Sequence, residues 1–144
     1  MITLDASVLI AHLYPHDPHH QAATAYLRAS VAEGFVIHSL NLAEVLVGGV
    51  RAGHGEEMLA DLEAVGIRMA DPRDREPLRL ANLRASSGLK LPDCCALDTA
   101  MSTGTTLATF DDALARIARQ RHVTVAPEHQ PADGLESGPA DAPQ

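Results

Sequence analysis

Short runs of apolar residues alternate with longer amphipathic stretches along the first 126 residues of the chain. The apolar runs predict five β-strands, over residues 2–4, 35–38, 67–70, 106–109 and 123–125. The amphipathic stretches predict helices over residues 6–13, 19–33, 41–51, 56–65, 74–86, 93–102 and 112–119. Because strands and helices alternate, the pattern predicts an α/β fold in which helices cover a central parallel sheet.

The end of the chain differs in composition from the rest. Residues 127–144 contain four prolines, four acidic residues, no Lys or Arg, and one large aliphatic residue, Leu135. Such a segment cannot bury enough apolar surface to offset the entropy lost on ordering. We therefore predict one domain over residues 1–126 and a disordered, acidic, Pro-rich tail over residues 127–144.

Composition and charge exclude several classes of nucleic-acid binder and indicate a compartment. Aromatic residues make up 3% of the chain, which disfavours a module that stacks bases on an aromatic platform. The net charge of −8 disfavours binding by bulk neutralisation of phosphates. The first residues resemble no signal peptide, no apolar run approaches the ~20 residues that span a bilayer, and the adjacent Cys94 and Cys95 are a poor pair for an intrachain disulfide. We therefore expect a soluble protein of the reducing cytoplasm.

Acidic residues occur where the predicted strands end. Asp5 follows the first strand, Asp111 follows the fourth, and Glu44 lies in the first turn of the helix after the second. The carboxyl ends of parallel strands meet at one edge of a sheet, and Asp93, which opens a helix after Pro92, could point to the same edge. Four carboxylates converging without Lys or Arg beside them would repel one another, and a divalent cation relieves that repulsion. Oxygen ligands of this kind select Mg²⁺ or Mn²⁺.

Helix capping offers a simpler explanation for each acid taken alone. Asp5, Asp93 and Asp111 all stand at predicted helix starts, where Asp is a favoured cap and the helix dipole favours its charge. Glu44 follows Asn41 by three residues, which is the spacing of a capping box. The joint placement of the four acids at one sheet edge favours a site over four independent caps.

Four segments carry a resemblance to a known family. Residues 4–10 (LDASVLI), 41–46 (NLAEVL), 91–97 (LPDCCAL) and 107–111 (LATFD) resemble, in order, the four acidic motifs of the PIN-domain ribonucleases. The branch that they resemble most is that of the VapC toxins of type II toxin–antitoxin pairs. The resemblance implies a three-layer α/β/α sandwich with a central parallel sheet. It also implies a Mg²⁺- or Mn²⁺-dependent endoribonuclease that a small cognate antitoxin neutralises.

The resemblance also implies roles for individual residues. The catalytic and metal-binding acids would be Asp5, Glu44, Asp93 and Asp111. Behind them, Ser7 and Thr109 could hydrogen-bond a carboxylate or a metal-bound water. Asp112 duplicates Asp111 and could substitute for it. Asp98 departs from the family pattern, and its spacing of five residues from Asp93 does not share a helix face, so we expect it to face solvent or a neighbouring helix.

Two basic stretches have two interpretations. The first contains Arg73, Arg75, Arg79, Arg84 and Lys90, and the second contains Arg116, Arg119 and Arg121. Such stretches usually form a solvated helix face. The alternative is contact with RNA phosphates beside an otherwise acidic cleft, which we assign to Arg75 and Arg79 in particular.

The resemblance also implies protein partners. The predicted helices over residues 41–51 and 56–65 contain many Leu, Val and Met residues, and the resemblance places antitoxin contacts on such a helix pair. It also implies a homodimer.

One rival function is a receiver-like signalling domain that accepts a phosphoryl group on Asp5. Such a domain uses two adjacent early acids and a late Lys, and no Lys follows Lys90 in this sequence. A second rival is a catalytically silent PIN-like binding module in which the acids are merely helix caps.

Overall fold

The computed structural model describes residues 1–129 and contains, over that range, a five-stranded sheet in which every pairing is parallel. The strands are β1 (Ile2–Leu4), β2 (Phe35–Ile37), β3 (Ile67–Met69), β4 (Thr106–Ala108) and β5 (Val125–Ala126). Their spatial order is β3-β2-β1-β4-β5. The helices are α1 (Ala6–Leu13), α2 (His20–Ser30), α3 (Ser39–Arg51), α4 (Gly55–Ala64), α5 (Glu76–Ser87), α6 (Leu91–Thr103) and α7 (Asp112–Gln120).

The two faces of the sheet bury two separate hydrophobic clusters. Ile2, Leu4, Phe35 and Ile37 pack against α1 to α4 on one face. Leu107 and Val125 pack against α5, α6 and α7 on the other face. Alternate residues of a strand point to opposite faces, which is why the short strands contribute to both clusters. The fold is therefore the predicted α/β/α sandwich of three layers.

The order of the strands opens a crevice at the carboxyl ends of β1 and β4. The chain leaves β1 towards β2 on one side, and it leaves β4 towards β5 on the other side. Ligands of open α/β sheets bind at such a point, where the strand order reverses. Leu4 pairs with Ala108 in the register of the two strands, so Asp5 and Thr109 leave the sheet side by side.

Helix α3 begins two residues before the predicted start, because His38 caps it. The Nδ1 atom of His38 accepts a hydrogen bond of 3.1 Å from the Leu40 backbone N–H. Its Nε2 atom lies 2.9 Å from Oε1 of Glu76 on α5. Since Nδ1 accepts, Nε2 carries the proton in the neutral ring, and the network thus assigns the tautomer.

The chain keeps contact with the domain beyond residue 126. The ring of His129 packs edge-on against Phe110, with 5.4 Å between the ring centroids. The predicted boundary at residue 126 therefore precedes three residues that the structure describes, and the remainder of the predicted tail, residues 130–144, lies outside the described residues. Within residues 1–129, no helix has the length and apolar character that crossing a bilayer requires.

Candidate metal centre

All four predicted acids line one pocket at the carboxyl ends of β1 and β4. The pocket has a volume of about 520 Å³. Its acidic lining residues are Asp5, Glu44, Asp93 and Asp111, and Ser7 and Lys90 line it as well. These acids come from four separate parts of the chain. The pairing of β1 with β4 brings Asp5 and Asp111 together, and the packing of α3 against α6 brings in Glu44 and Asp93.

Asp5 is buried and is oriented by two hydroxyl groups. Its side chain makes no hydrogen bond that caps α1, although its backbone occupies the N-cap position. Ser7 Oγ and Thr109 Oγ1 both donate to its Oδ2 atom, each over 2.8 Å. Burial raises the pKa of Asp5 above its ordinary value, and the hydrogen bonds from Thr109 and Ser7 oppose that rise. Side-chain capping therefore does not explain Asp5.

The same two hydroxyls also fix the loop that follows β4. The backbone N–H of Phe110 donates to Ser7 Oγ, and the backbone N–H of Asp111 donates to Thr109 Oγ1, each over 3.0 Å. Each hydroxyl thus accepts from the β4 loop while it donates to Asp5. The predicted supporting residues Ser7 and Thr109 set the position of Asp5 relative to Asp111.

Asp111 has a capping role as well as a place in the pocket. Its Oδ1 atom accepts a hydrogen bond of 2.8 Å from the Leu114 backbone N–H and so caps α7. Its neighbour Asp112 is exposed and does not line the acidic pocket. Asp112 instead lines an adjacent groove, where its Oδ1 atom lies 3.0 Å from His129 Nε2.

Glu44 lies on the exposed rim of the pocket and is held by a buried amide. Asn41 is fully buried, and its Nδ2 atom donates to Glu44 Oε1 over 3.2 Å and to the Pro92 carbonyl over 2.9 Å. Both partners are acceptors, which fixes the orientation of the amide. Since α3 begins at Ser39, Asn41 is not its cap, and the predicted capping box is wrong.

Asn41 is a residue whose part in the site sequence reasoning missed. Its Oδ1 atom is buried and has no hydrogen-bond partner among the described residues. The amide joins Glu44 on α3 to Pro92, which directly precedes Asp93 on α6. It therefore sets the spacing between two of the acids. The only sequence signal was its separation of three residues from Glu44, which also fits a capping box.

Asp93 is a residue whose pKa responds to the other acids of the pocket. Its pKa is raised to about 6, first by burial and then by the negative charges of Asp111, Asp5 and Glu44. Lys90 lowers the pKa of Asp93 and lines the same pocket. The expectation that no Lys or Arg stands beside the acids is therefore wrong. Lys90 occupies the N-cap position of α6, so Asp93 lies within the first turn and is not the cap.

The donor set fits a hydrated hard cation better than a cage made of protein ligands alone. Within residues 1–129, no three His, Cys, Asp or Glu side chains are grouped closely enough to hold a metal ion by themselves. Mg²⁺ usually binds one or two carboxylates directly and keeps several waters. Carboxylates that share a pocket and raise one another's pKa are suited to such an ion, because it offsets their repulsion.

Asp98 is buried against the neighbouring helix α5 and has no place in the pocket. Its two carboxylate oxygens accept hydrogen bonds of 3.0 and 3.1 Å from Nε and Nη2 of Arg79. Asp98 thus faces a helix, as one of the two expectations for it stated. Arg79 is held in this pair, which disfavours its predicted contact with RNA phosphates.

Comparison with known proteins identifies the fold family. The family model described as "PIN domain" matches residues 2–120. A toxin–antitoxin complex from Klebsiella pneumoniae contains a chain that is 21% identical, with a TM-score of 0.69, over 91% of this chain and 100% of that one. The FitAcB structure from Neisseria gonorrhoeae is also 21% identical, with a TM-score of 0.65, over 88% of this chain and 97% of that one.

A third structure extends the same comparison. VapBC2 from Rickettsia felis, bound to a DNA fragment from its promoter, is 16% identical with a TM-score of 0.65, over 88% of this chain and 98% of that one. The sequence matches no curated protein. At these identities the solved structures establish a shared fold, and the family model covers most of the described chain. The chain, with its parallel sheet and its acid-lined pocket at the β1–β4 edge, belongs to the PIN-domain family.

Proposed function

We propose that the protein is a Mg²⁺- or Mn²⁺-dependent endoribonuclease that hydrolyses RNA phosphodiester bonds and acts as the toxin of a toxin–antitoxin pair. The observation that carries the proposal is the shared pocket of the four acids. The raised pKa of Asp93, caused in part by Asp111, Asp5 and Glu44, indicates that their charges interact. The chain belongs to the PIN-domain family, whose members are generally nucleases, and in a nuclease such acids would hold the catalytic cation.

Each side chain of the pocket has a role in this proposal. Asp5 would bind the cation through Oδ1, because Ser7 and Thr109 both donate to Oδ2. Asp93 and Asp111 would contribute further oxygens directly or through water. A bound divalent cation supplies Lewis acidity towards the scissile phosphate and lowers the pKa of a bound water.

The remaining polar groups act at the rim. Glu44, which is exposed and held by Asn41, would orient the attacking water or accept its proton. Lys90 would lie against a phosphate oxygen of the bound strand, because it is the cation among the lining residues of an otherwise acidic pocket. The protein's contribution is thus to hold acids, water and phosphate in one geometry.

The topology disfavours the receiver-like alternative. Receiver domains of the flavodoxin-like type have the strand order 2-1-3-4-5. The order here is β3-β2-β1-β4-β5, which is that of the first five strands of a dinucleotide-binding sheet. The pocket also takes its acids from four places in the chain, not from an adjacent pair. The silent binding module remains as an outcome of the experiment below.

A protein antitoxin and a second copy of the chain are the partners that we propose. The Klebsiella pneumoniae relative is a toxin–antitoxin complex, and a homologous pairing would suit this chain. Helix α3 exposes Val47 and Val50, with 43% and 64% of their surface accessible. These two side chains are three residues apart and so lie on the same side of the helix, where a partner could cover both.

Cleavage of single-stranded RNA by the full chain tests the proposed function. We expect hydrolysis in Mn²⁺ or Mg²⁺ that EDTA abolishes, and a rate at least about 100-fold lower in Asp5→Asn and in Asp93→Asn. Asp61→Asn on the exposed face of α4 is the matched control and should cleave like the wild type. If Asp5→Asn and Asp93→Asn cleave normally at unchanged thermal stability, the assignment is wrong. A wild type that binds Mn²⁺ but leaves RNA intact is a silent module.

A further inference from the structure

A second groove begins where the acidic pocket ends. We call it the α7 groove; its lining residues include Arg116, Arg119, Gln120 and His129, and its volume is about 800 Å³. Ala113 lines both the α7 groove and the acidic pocket. The two concavities are therefore adjacent, and they meet at the first turn of α7.

The amphipathic character of α7 aims its arginines into this groove. Leu114, Ala115, Ile117 and Ala118 are buried against the sheet and α6. Arg116 and Arg119 lie on the opposite, exposed face. They are three residues apart, so their backbones are separated by about 4.5 Å along the helix axis. A row of two guanidinium groups thus leads away from Asp111, the residue that caps the same helix.

These two arginines differ from the other arginines near the site. Arg79 is paired with Asp98, Arg84 donates to the Leu89 carbonyl over 2.8 Å, and Arg121 donates to Ser86 Oγ over 2.7 Å. The side chains of Arg116 and Arg119 make no hydrogen bond or ion pair with any residue in the described range 1–129. Their guanidinium groups are available to a ligand.

The acid of the groove already has a polar partner. Asp112 lines the groove, and its Oδ1 atom lies 3.0 Å from Nε2 of His129, which lines the groove as well. The ring of His129 is itself held edge-on against Phe110 and His19. The groove is therefore lined by two arginines and one acid, on a protein whose net charge is −8.

We propose that the α7 groove binds the RNA strand on one side of the scissile phosphate, with Arg116 and Arg119 each contacting a backbone phosphate. This inference rests on the proposed ribonuclease function and adds the path of the substrate to it. An acidic pocket repels the phosphates that flank the reacting one, so the strand needs a basic surface beside the pocket. Arginine presents a planar fork that matches phosphate oxygens. Contacts of this kind position the strand without selecting its sequence.

The test compares two double variants of equal charge. Arg116→Gln with Arg119→Gln removes both guanidinium groups of the groove. Arg51→Gln with Arg68→Gln removes two exposed arginines of α3 and β3, on the side of the sheet away from β5. All are made in the full chain with Asp5→Asn, which prevents cleavage, and fluorescence anisotropy measures the affinity for a labelled single-stranded RNA at several salt concentrations. Wild-type cleavage is measured separately.

The groove variant should bind RNA roughly tenfold more weakly at 150 mM salt, whatever the RNA sequence. The slope of log K against log salt should fall by about 1.4, since each lost phosphate contact on a single strand contributes about 0.7. The control variant should keep the slope of its parent. If both double variants lose the same affinity and slope, the groove assignment is overturned.

Other outcomes separate the groove from the proposed function. If wild type cleaves RNA but the groove variant keeps the parental slope, the groove proposal fails and the nuclease proposal stands. If wild type does not cleave but RNA binding depends on the groove, the nuclease proposal fails, and only the RNA contact of Arg116 and Arg119 stands, without a scissile phosphate beside it. If a labelled oligoglutamate peptide binds as tightly as RNA with the same dependence on Arg116 and Arg119, the groove recognises an acidic protein segment and the RNA assignment is overturned.

Discussion

The hydroxyl of Thr109 donates a hydrogen bond of 2.8 Å to Oδ2 of Asp5, although 104 residues separate the two along the chain. The parallel pairing of β1 with β4 places them side by side, since Leu4 pairs with Ala108. The same hydroxyl accepts from the Asp111 backbone N–H. One buried hydroxyl thus links the acid after β1 to the acid after β4.

Replacing Thr109 by Val keeps the shape of the side chain and removes this link. Asp5 would lose one of the two donors to Oδ2, so we expect the free energy of unfolding to fall by about 1–2 kcal/mol. RNA cleavage should fall about 10- to 100-fold, as is typical when a group supporting a metal ligand is lost. Thr109→Ser restores the hydroxyl and should recover most of the activity. Normal cleavage in Thr109→Val would show that the hydroxyl does not position Asp5 for catalysis.

The raised pKa of Asp93 makes the stability of the metal-free chain depend on pH. Its pKa is about 6 in the folded chain and 3.8 in the reference state, so ionisation of Asp93 opposes folding. The free energy of unfolding should therefore fall as pH rises from about 4 through about 6. Burial raises the pKa of Asp5 as well, and this acts in the same direction.

Urea denaturation in EDTA between pH 4.5 and 7 measures this dependence. Asp93→Asn should flatten it and raise the stability at pH 7 by roughly 1 kcal/mol, a figure reduced for the partial exposure of the side chain. Saturating Mn²⁺ should stabilise wild type more at pH 7 than at pH 5. A pH dependence that is identical in Asp93→Asn and wild type would contradict the charge interaction at this pocket.

The ion pair between Arg79 and Asp98 is expected to matter for stability and not for RNA binding. Asp98 is buried with 6% of its side chain exposed, whereas the side chain of Arg79 is 36% exposed. Arg79→Ala would leave a buried carboxylate without its partner and should lower the melting temperature, although by less than the loss of a fully buried partner would, because Arg79 is partly solvated. The double variant Arg79→Leu with Asp98→Leu should recover much of that loss. Thermal denaturation measures both; a stable Arg79→Ala would contradict the account.

The fold was largely predictable because the signals for its elements are local. The apolar runs at residues 2–4, 35–38 and 106–109 correspond to β1, β2 and β4 within one residue. Strands this short are buried on both faces, so their composition alone marks them. The parallel arrangement followed from helices between successive strands, and it explains why acids placed after β1 and β4 come to share an edge.

The supporting contacts were not predictable because they join distant parts of the chain. Asn41 holds Glu44 but also reaches the carbonyl of Pro92, which is 51 residues away. His38, which caps α3, is fixed by Glu76 on another helix. Local patterns favoured a capping box at Asn41. The tertiary contacts, which depend on how α3, α5 and α6 pack, determined the actual start of the helix.

The partners of the individual arginines were also not predictable from the sequence. Both basic stretches have the composition of a solvated face or a phosphate-binding surface. Only packing reveals that Arg79 is paired with Asp98 while Arg116 and Arg119 line a groove. Charge along a sequence indicates where cations are abundant, but the partner of each cation is set by the fold.

Calorimetric titration of Mn²⁺ into the metal-free full chain tests most directly whether the gathered carboxylates hold a cation. The account predicts saturable binding to wild type and to the control Asp61→Asn, and at least about tenfold weaker binding to Asp5→Asn and Asp93→Asn. All four proteins should be folded, as their thermal denaturation will verify. Binding of equal affinity in all four, or no binding by wild type at neutral pH, would contradict the account.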